Sequence, residues 1–172
     1  MSFDKNIILF GFMGSGKTAV GKAIAQTLGL ELIEMDEIIV QHENKSINNI
    51  FKENGEPYFR QLERRIVKEL AEKDGIVVST GGGVILDEEN LNDFRKKGIL
   101  FSLMVSPEVV YERTKDEAHR PLLNVLEPMK KITELLEYRE AFYKKADHII
   151  DTDTKSVEDV AREVIELYKE NQ

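Results

Sequence analysis

The segment IILFGFMGSGKT, from Ile7 to Thr18, constrains the fold of this chain more than any other segment does. Four apolar residues come first and are typical of a buried strand. The three glycines that follow allow successive backbone N–H groups to converge on one point. A helical pattern of apolar residues then continues from Ala19 to Leu28. A strand, a glycine-rich loop and a helix in this order predict an anion-binding turn at the start of the helix.

This loop matches the pattern GxxxxGK(S/T), which holds nucleotide phosphates, with Gly11, Gly16, Lys17 and Thr18 at its fixed positions. In such a loop the backbone amides hold the α- and β-phosphates, the lysine reaches the bridge to the γ-phosphate, and the neighbouring hydroxyl contacts Mg²⁺. We therefore expect a nucleotide and Mg²⁺ as ligands. The loop residues predicted to bind the nucleotide are Gly14, Ser15, Gly16, Lys17, Thr18 and Ala19.

Composition limits the other possible partners. The chain has 172 residues, of which 41% are hydrophobic, which suits one domain with a single core. Its formal net charge of −8 makes nucleic acid and anionic membranes unexpected partners. The chain contains no cysteine, which excludes disulfides and thiolate metal sites. It shows neither a signal-peptide pattern nor a long apolar run, so we expect a cytoplasmic protein. We also expect one domain over residues 1–172 and a monomer.

Five strand-like runs alternate with helical patterns, which predicts an α/β fold with a parallel sheet. The runs are 6–10, 31–34, 76–79, 99–104 and 148–151. Ser46, Ser106 and Ser156 indicate helix starts, because serine favours the N-cap position. In the last helix we expect core residues at helical spacing, namely Val157, Val160, Val164 and Tyr168.

The phosphate loop alone does not separate a GTPase, a motor ATPase and a kinase. The guanine-reading motif NKxD is absent, since a serine follows Asn44 and Lys45, and no aspartate begins a DxxG motif. No long strand ends in the Asp–Glu pair of a motor ATPase, because residues 76–78 lead instead into Ser79 and Thr80. These absences favour a small-molecule kinase, in which a mobile cover excludes water from a bound hydroxyl acceptor.

Three further segments are candidates for the acceptor site. In EMDEII, Asp36 follows the second predicted strand at the edge where open α/β sheets gather ligands, although it can also cap the next helix. In STGGGVI, Gly81, Gly82 and Gly83 allow a ligand to approach the backbone, and a plain turn would rarely need all three. The last set contains three arginines, each of which can instead be a solvated helix residue. They are Arg60, Arg120 and Arg139.

The order and spacing of these segments closely resemble those of the shikimate kinase family over nearly the whole chain. The resemblance rests on the phosphate loop, the aspartate after the strand, the triple glycine and three arginine motifs. These motifs are Phe59, Arg60 and Glu63 in FRQLE, the RPLL of residues 120–123, and Arg139, Phe142 and Tyr143 in REAFY. The triple glycine combined with Arg60 and Arg139 is more specific to this family than the phosphate loop, which many families share.

This resemblance implies a three-layer α/β/α P-loop kinase fold with a five-stranded parallel sheet. It also implies an acceptor-binding segment at about 36–63 and a lid at about 112–124. The implied reaction transfers the γ-phosphate of ATP to the 3-hydroxyl of shikimate, in aromatic amino acid biosynthesis. There are two alternatives. One is a related kinase for another acid such as gluconate, and the other is a non-catalytic nucleotide-dependent interaction module.

The resemblance also assigns residue roles. The implied substrate-binding residues are Asp36, Arg60, Gly81, Gly82, Gly83 and Arg139, with the two arginines holding the shikimate carboxylate. The implied catalytic residues are Lys17, Asp36 and Arg120. Arg120 comes from the lid onto the transferring phosphate of ATP, and Arg113 lies against adenine.

One residue departs from the family pattern. The family usually has Asp-x-Asp at the end of the second strand, whereas this chain has Glu34 and Asp36. Glutamate keeps the negative charge but places it about one methylene further from the backbone. The expected metal-binding residues are therefore Thr18, Glu34 and Ser79, with Glu34 acting through a water molecule.

Overall fold

Strands and helices alternate along residues 5–116 and 125–171, which the computed structural model describes. The strands are β1 (Asn6–Gly11), β2 (Glu31–Glu34), β3 (Ile76–Ser79), β4 (Gly98–Met104) and β5 (His148–Asp151). The helices are α1 (Lys17–Leu28), α2 (Met35–Glu43), α3 (Ile47–Ala71), α4 (Glu88–Arg95), α5 (Pro107–Thr114), α6 (Pro128–Tyr143) and α7 (Val157–Glu170). A 3₁₀ turn, Val84–Leu86, precedes α4.

The five strands pair in parallel in the order β2-β3-β1-β4-β5, which confirms the predicted sheet. The predicted strands differ from the observed ones in two places, because β1 extends to Gly11 and β4 begins at Gly98. A glycine contributes no apolar side chain, so it does not extend a hydrophobic pattern in the sequence.

Alternate residues of β1 face opposite sides of the sheet, and both sides are covered. Ile7 and Leu9 belong to a buried cluster with residues of α1 and α7. Ile8 and Phe10 belong to a second cluster with residues of α3, α4 and α6. This arrangement is the expected three-layer α/β/α architecture. The predicted core face of α7 is also confirmed, since Val160, Val164 and Tyr168 are buried and Val157 packs against them partly buried.

The predicted helix starts agree with the hydrogen bonds at the caps. The hydroxyls of Ser46, Ser106 and Ser156 each accept a hydrogen bond from the backbone N–H three residues later. At α2 the alternative role of Asp36 as a cap does not hold, because Glu34 occupies the N-cap position and Asp36 lies in the first turn. Asp36 is therefore not a cap, although a carboxylate in a first turn still favours the helix dipole. Within the described ranges, no helix combines the length and the apolar character needed to span a membrane.

The sheet brings the candidate segments together at one edge. Strands β1, β2 and β3 are neighbours and parallel, so the segments that follow them meet beyond their carboxyl ends. Helix α3 is interrupted at Gly55, whose φ of 79° and ψ of 173° are not helical, and Pro57 follows. The interruption divides α3 into two parts, and residues from both parts line the same cavity.

Candidate active site

A cavity of about 720 Å³ lies where β1, β2 and β3 end. The phosphate loop and the start of α1 form one side, and α3 with α6 forms the other. Of the predicted site residues in the described ranges, all except Ser15 and Arg113 line this cavity. Arg120 lies outside the described residues, as does most of the predicted lid. The volume is in the range of pockets that hold small molecules.

The phosphate loop is shaped by its glycines and its lysine. Gly14 and Gly16 have φ values of 76° and 90°, which disfavour any residue with a side chain. The ammonium group of Lys17 donates hydrogen bonds to the carbonyls of Gly11 at 2.7 Å and Phe12 at 3.1 Å. The loop therefore combines the lysine charge with the partial positive charge of its amides, which suits phosphate.

Helix α5 packs against the outside of this loop. The guanidinium of Arg113 donates a hydrogen bond to the carbonyl of Gly14 at 2.8 Å. A Cβ atom at Gly14 would lie 3.2 Å from the methyl group of Thr114, so α5 leaves little space there. Arg113 thus lies beside the loop rather than in the cavity, and its predicted adenine contact stays a prediction.

The residues predicted to serve a metal lie on neighbouring strand ends. Glu34 and Ser79 are register partners in β2 and β3. Oxygen Oε1 of Glu34 is buried and has no hydrogen-bond partner within the described part of the chain. Thr18 lines the same cavity. An unpaired carboxylate oxygen and hydroxyl groups fit the water shell of Mg²⁺, which prefers oxygen ligands and retains several waters.

The described residues contain no group of three or more histidine, cysteine or carboxylate side chains that could hold a metal alone. Nucleotide phosphates and water are the usual additional ligands of Mg²⁺ in phosphoryl-transfer sites. The donor set thus fits an ion that enters with a nucleotide.

Arg60 is held by a buried carboxylate on the same helix. Its guanidinium bonds to Oε2 of Glu63 at 2.5 Å and, on the outer side, to Oε1 of Glu56 at 3.0 Å. The side chain of Glu63 is only 2% exposed. Burial raises the pKa of Glu63 to about 7, with Asp36 adding to the rise and Arg60 opposing it. Glu63 therefore makes its ion pair with Arg60 at the expense of its own hydration.

The three glycines make room for the charged side chains of the site. A Cβ atom at Gly81 would lie 2.8 Å from Oε1 of Glu63 and 3.2 Å from Oδ1 of Asp36. At Gly83 a Cβ atom would lie 2.4 to 2.6 Å from the guanidinium of Arg60. None of these glycines has a positive φ. They are needed for space rather than for an unusual backbone conformation, which refines the predicted role of this segment.

Arg139 reaches the same cavity from α6. It is 6% exposed, and its Nε is buried without a hydrogen-bond partner among the described residues. Its guanidinium lies 5.5 Å from the centre of the Phe12 ring, a cation–π distance. A Cβ atom at Gly82 would lie 3.3 Å from one of its terminal nitrogens. A buried guanidinium with an unused donor is suited to bind an anion.

Comparison with known proteins identifies the family of this site. The family model described as shikimate kinase matches residues 13–169. A shikimate kinase of Thermodesulfovibrio yellowstonii is 43% identical over 165 residues, which cover 96% of this chain and 95% of that protein. One from Caldanaerobacter subterraneus is 44% identical over 95% of this chain and 96% of that protein. The chain belongs to the shikimate kinase family.

Solved structures agree with this membership. A shikimate kinase from Acinetobacter baumannii, described as a complex with shikimate, has a TM-score of 0.92 and 34% identity. The match covers 98% of this chain and 94% of that one. A gluconokinase from Sinorhizobium meliloti has a TM-score of 0.62 at 19% identity and so shares the fold alone. The comparisons therefore support the shikimate kinase interpretation over the gluconokinase alternative.

Sequence reasoning missed part of the cavity wall. Glu63 was recognised in a family motif but not predicted as a site residue, although its spacing of three residues from Arg60 places both on one helix face. Ile47, Phe51 and Phe59 form an apolar part of the wall. The apolar positions of α3 give no signal of their own, because core residues show the same helical spacing.

Proposed function

We propose that this member of the shikimate kinase family transfers the γ-phosphate of ATP to the 3-hydroxyl of shikimate, in aromatic amino acid biosynthesis. One observation carries the proposal. A single cavity joins a phosphate loop to two buried or half-buried arginines, Arg60 and Arg139, and to the carboxylate of Asp36. A small hydroxylated carboxylic acid needs this combination beside a nucleotide.

The acceptor is bound through its carboxylate. Arg60 and Arg139 lie against the glycine backbone on the same side of the cavity, at Gly83 and Gly82 respectively. Guanidinium groups bind carboxylates through paired charge-assisted hydrogen bonds. The unpaired Nε of Arg139 supports this role, since a buried donor gains most from a ligand.

The hydroxyl that attacks is positioned by Asp36. This carboxylate lines the same cavity as the acceptor arginines and the phosphate loop. In a loose transition state it holds the hydroxyl in line and accepts its proton late. Lys17 neutralises charge that develops between the β- and γ-phosphates.

The metal role belongs to Glu34, Ser79 and Thr18. When bound, Mg²⁺ supplies charge neutralisation at the nucleotide phosphates. Glu34 and Ser79 contribute oxygen atoms from adjacent strand ends, and Thr18 contributes its hydroxyl from α1. The unpaired buried oxygen of Glu34 supports this role.

The remaining proposals concern the whole chain. We place Arg120 and Arg113 at the nucleotide, with a lid at about 112–124 that closes over the cavity and an acceptor segment at about 36–63. The chain acts as one kinase domain and as a cytoplasmic monomer without nucleic-acid or membrane partners. Light scattering after size exclusion tests the monomer, and a second copy in solution would contradict it.

A coupled ADP-release assay with a panel of acceptors tests the reaction. We expect turnover that depends on shikimate and on Mg²⁺, and none with gluconate. The Lys17→Ala variant should stay folded and lose most activity. Turnover with gluconate alone would support the alternative kinase, and ADP binding without turnover for any acceptor would indicate an interaction module.

A further inference from the structure

A buried tyrosine outside the cavity joins two parts of the acceptor site. Tyr143 is the last residue of α6 and is 1% exposed. Its hydroxyl donates a hydrogen bond to the carbonyl of Gly82 at 3.0 Å. Gly82 lines the cavity, whereas Tyr143 does not. The tyrosine therefore contacts the cavity wall only indirectly, through the backbone of Gly82.

Arg139 lies one helical turn before Tyr143 on α6 and reaches the same glycine. Burial raises the pKa of the Tyr143 hydroxyl, while the charge of nearby Arg139 opposes that rise. Arg139 also lies beside Gly82 directly, as the 3.3 Å distance from a terminal nitrogen to the Cβ position shows.

Tyr143 is itself fixed to the sheet. Its backbone carbonyl accepts a hydrogen bond from the hydroxyl of Ser102 at 2.7 Å. Ser102 lies in β4 and is fully buried. The tyrosine is thus anchored through its backbone to the sheet and through its side chain to Gly82.

The backbone at Gly82 and the side chain of Arg139 are each flexible by themselves. Consecutive glycines have a wide choice of backbone conformations, and an arginine side chain has several free torsions. A trans peptide places its C=O and N–H on opposite sides, so the bond at the Gly82 carbonyl also sets the direction of the Gly83 N–H. The buried Nε of Arg139, which has no partner among the described residues, stays available for a ligand.

We propose that Tyr143 is a positioning residue for carboxylate recognition, whose hydroxyl holds the Gly82–Gly83 backbone beside Arg139 in one arrangement that binds the acceptor carboxylate. The proposal rests on the proposed function, because it requires a carboxylate acceptor in this cavity. Tyr143 does not touch the reacting atoms. Its effect is therefore on acceptor affinity and not on the chemical step.

The Tyr143→Phe variant tests this role, since it removes the hydroxyl and keeps the ring. Calorimetric titration with shikimate, in saturating ADP to stabilise the folded state, should give a Kd about tenfold higher than that of the unaltered chain. The ADP Kd should not change, and kcat at saturating shikimate should stay within about twofold. With methyl shikimate, whose ester has no charge, the same substitution should raise the Kd by less than about threefold.

Tyr168→Phe is the matched control. Tyr168 is equally buried, and its hydroxyl also donates to a backbone carbonyl, that of Lys5, on the opposite face of the sheet. This variant should lose stability and keep the shikimate Kd. An unchanged shikimate Kd in Tyr143→Phe, or an equal loss for shikimate and its methyl ester, would overturn the role of Tyr143. Failure of the unaltered chain to bind shikimate would overturn the proposed function itself.

Discussion

The carboxylates of the cavity differ in burial and neighbours, and these differences separate their roles. Glu34 ends β2 beside Ser79, while Asp36 lies two residues later, in the first turn of α2. Asp36 faces the acceptor side, since its Oδ1 lies near Gly81 together with a carboxylate oxygen of Glu63. This placement supports the proposal that Glu34 serves the metal and Asp36 the acceptor hydroxyl.

Neutralising these two carboxylates should therefore cause different defects. We expect Asp36→Asn to lower kcat with shikimate on the order of a hundredfold, without rescue by Mg²⁺, because a positioned acid–base group is lost. Glu34→Gln should raise the Mg²⁺ concentration for half-maximal rate by about tenfold or more and leave the shikimate KM nearly unchanged. Glu34→Asp is the control and should be close to neutral. If added Mg²⁺ restored the activity of Asp36→Asn but not that of Glu34→Gln, the roles proposed for the two carboxylates would have to be exchanged.

Glu63 should make stability depend on pH. Its pKa rises from an ordinary 4.5 to about 7 on folding, mainly through burial. Because the folded state holds this proton more tightly, the stabilisation is complete below pH 4.5 and is lost as pH rises to about 7. The loss is on the order of 3 kcal/mol.

Denaturant unfolding at pH 5 and pH 8 measures this effect. In Glu63→Gln the difference in unfolding free energy between the two pH values should shrink by about that amount, since glutamine does not ionise. Glu56→Gln removes the exposed partner of Arg60 and should keep the difference. The buried carboxylate would have no such role if Glu63→Gln and the unaltered chain showed the same pH dependence.

At the scale of elements, the sequence predicted most of the fold and less of the site. Strands β2, β3 and β5 and the serine caps follow from local patterns, because apolar runs and N-cap chemistry are local properties. The alternative of Asp36 as the cap of α2 is excluded only by the structure, because the helix begins directly after β2 with Glu34 at the N-cap position. The ion pair of Arg60 with Glu63 and the crowding at the glycines depend on tertiary packing, which local patterns do not contain.

The interruption of α3 is an element-scale feature with a measurable cost. Gly55 has φ 79° and ψ 173°, a combination that residues with a side chain rarely adopt. A Cβ atom there would meet only the ring of Pro57, at 3.7 Å, so backbone strain and not crowding decides the outcome. We expect Gly55→Ala to lower the unfolding free energy by about 2 to 3 kcal/mol.

Gly29 provides the comparison for this substitution. It ends α1 in the left-handed helical region, with φ 68° and ψ 32°, and has open space around its Cβ position. Gly29→Ala should cost about 1 kcal/mol in urea unfolding. Equal losses for the two variants would show that the interruption in α3 is not strained beyond an ordinary helix end.

At the scale of the whole molecule, positively charged side chains line the cavity of an acidic protein. The formal net charge is −8, so a ligand anion is repelled by the chain as a whole. Lys17, Arg60 and Arg139 line the same cavity, and we propose that Lys17 serves the phosphate side and the two arginines the acceptor side. These groups come from different elements, since Lys17 begins α1 after the phosphate loop and Arg139 lies on α6.

If nucleotide and acceptor bind to separate groups, the rise in Tm caused by each ligand can be removed by a different substitution. A ligand that binds only the folded state stabilises it by about 2.7 kcal/mol at a hundred times its Kd, and for a chain of this size that raises the Tm by roughly 5 to 10 °C. In calorimetric scans, Lys17→Ala should lose the shift caused by ADP and keep the shift caused by shikimate. Arg139→Ala should show the reverse. Arg162→Ala, an exposed arginine on α7 paired with Asp159, should keep both shifts. A Lys17→Ala variant that lost both shifts would mean that nucleotide and acceptor share one set of groups rather than two.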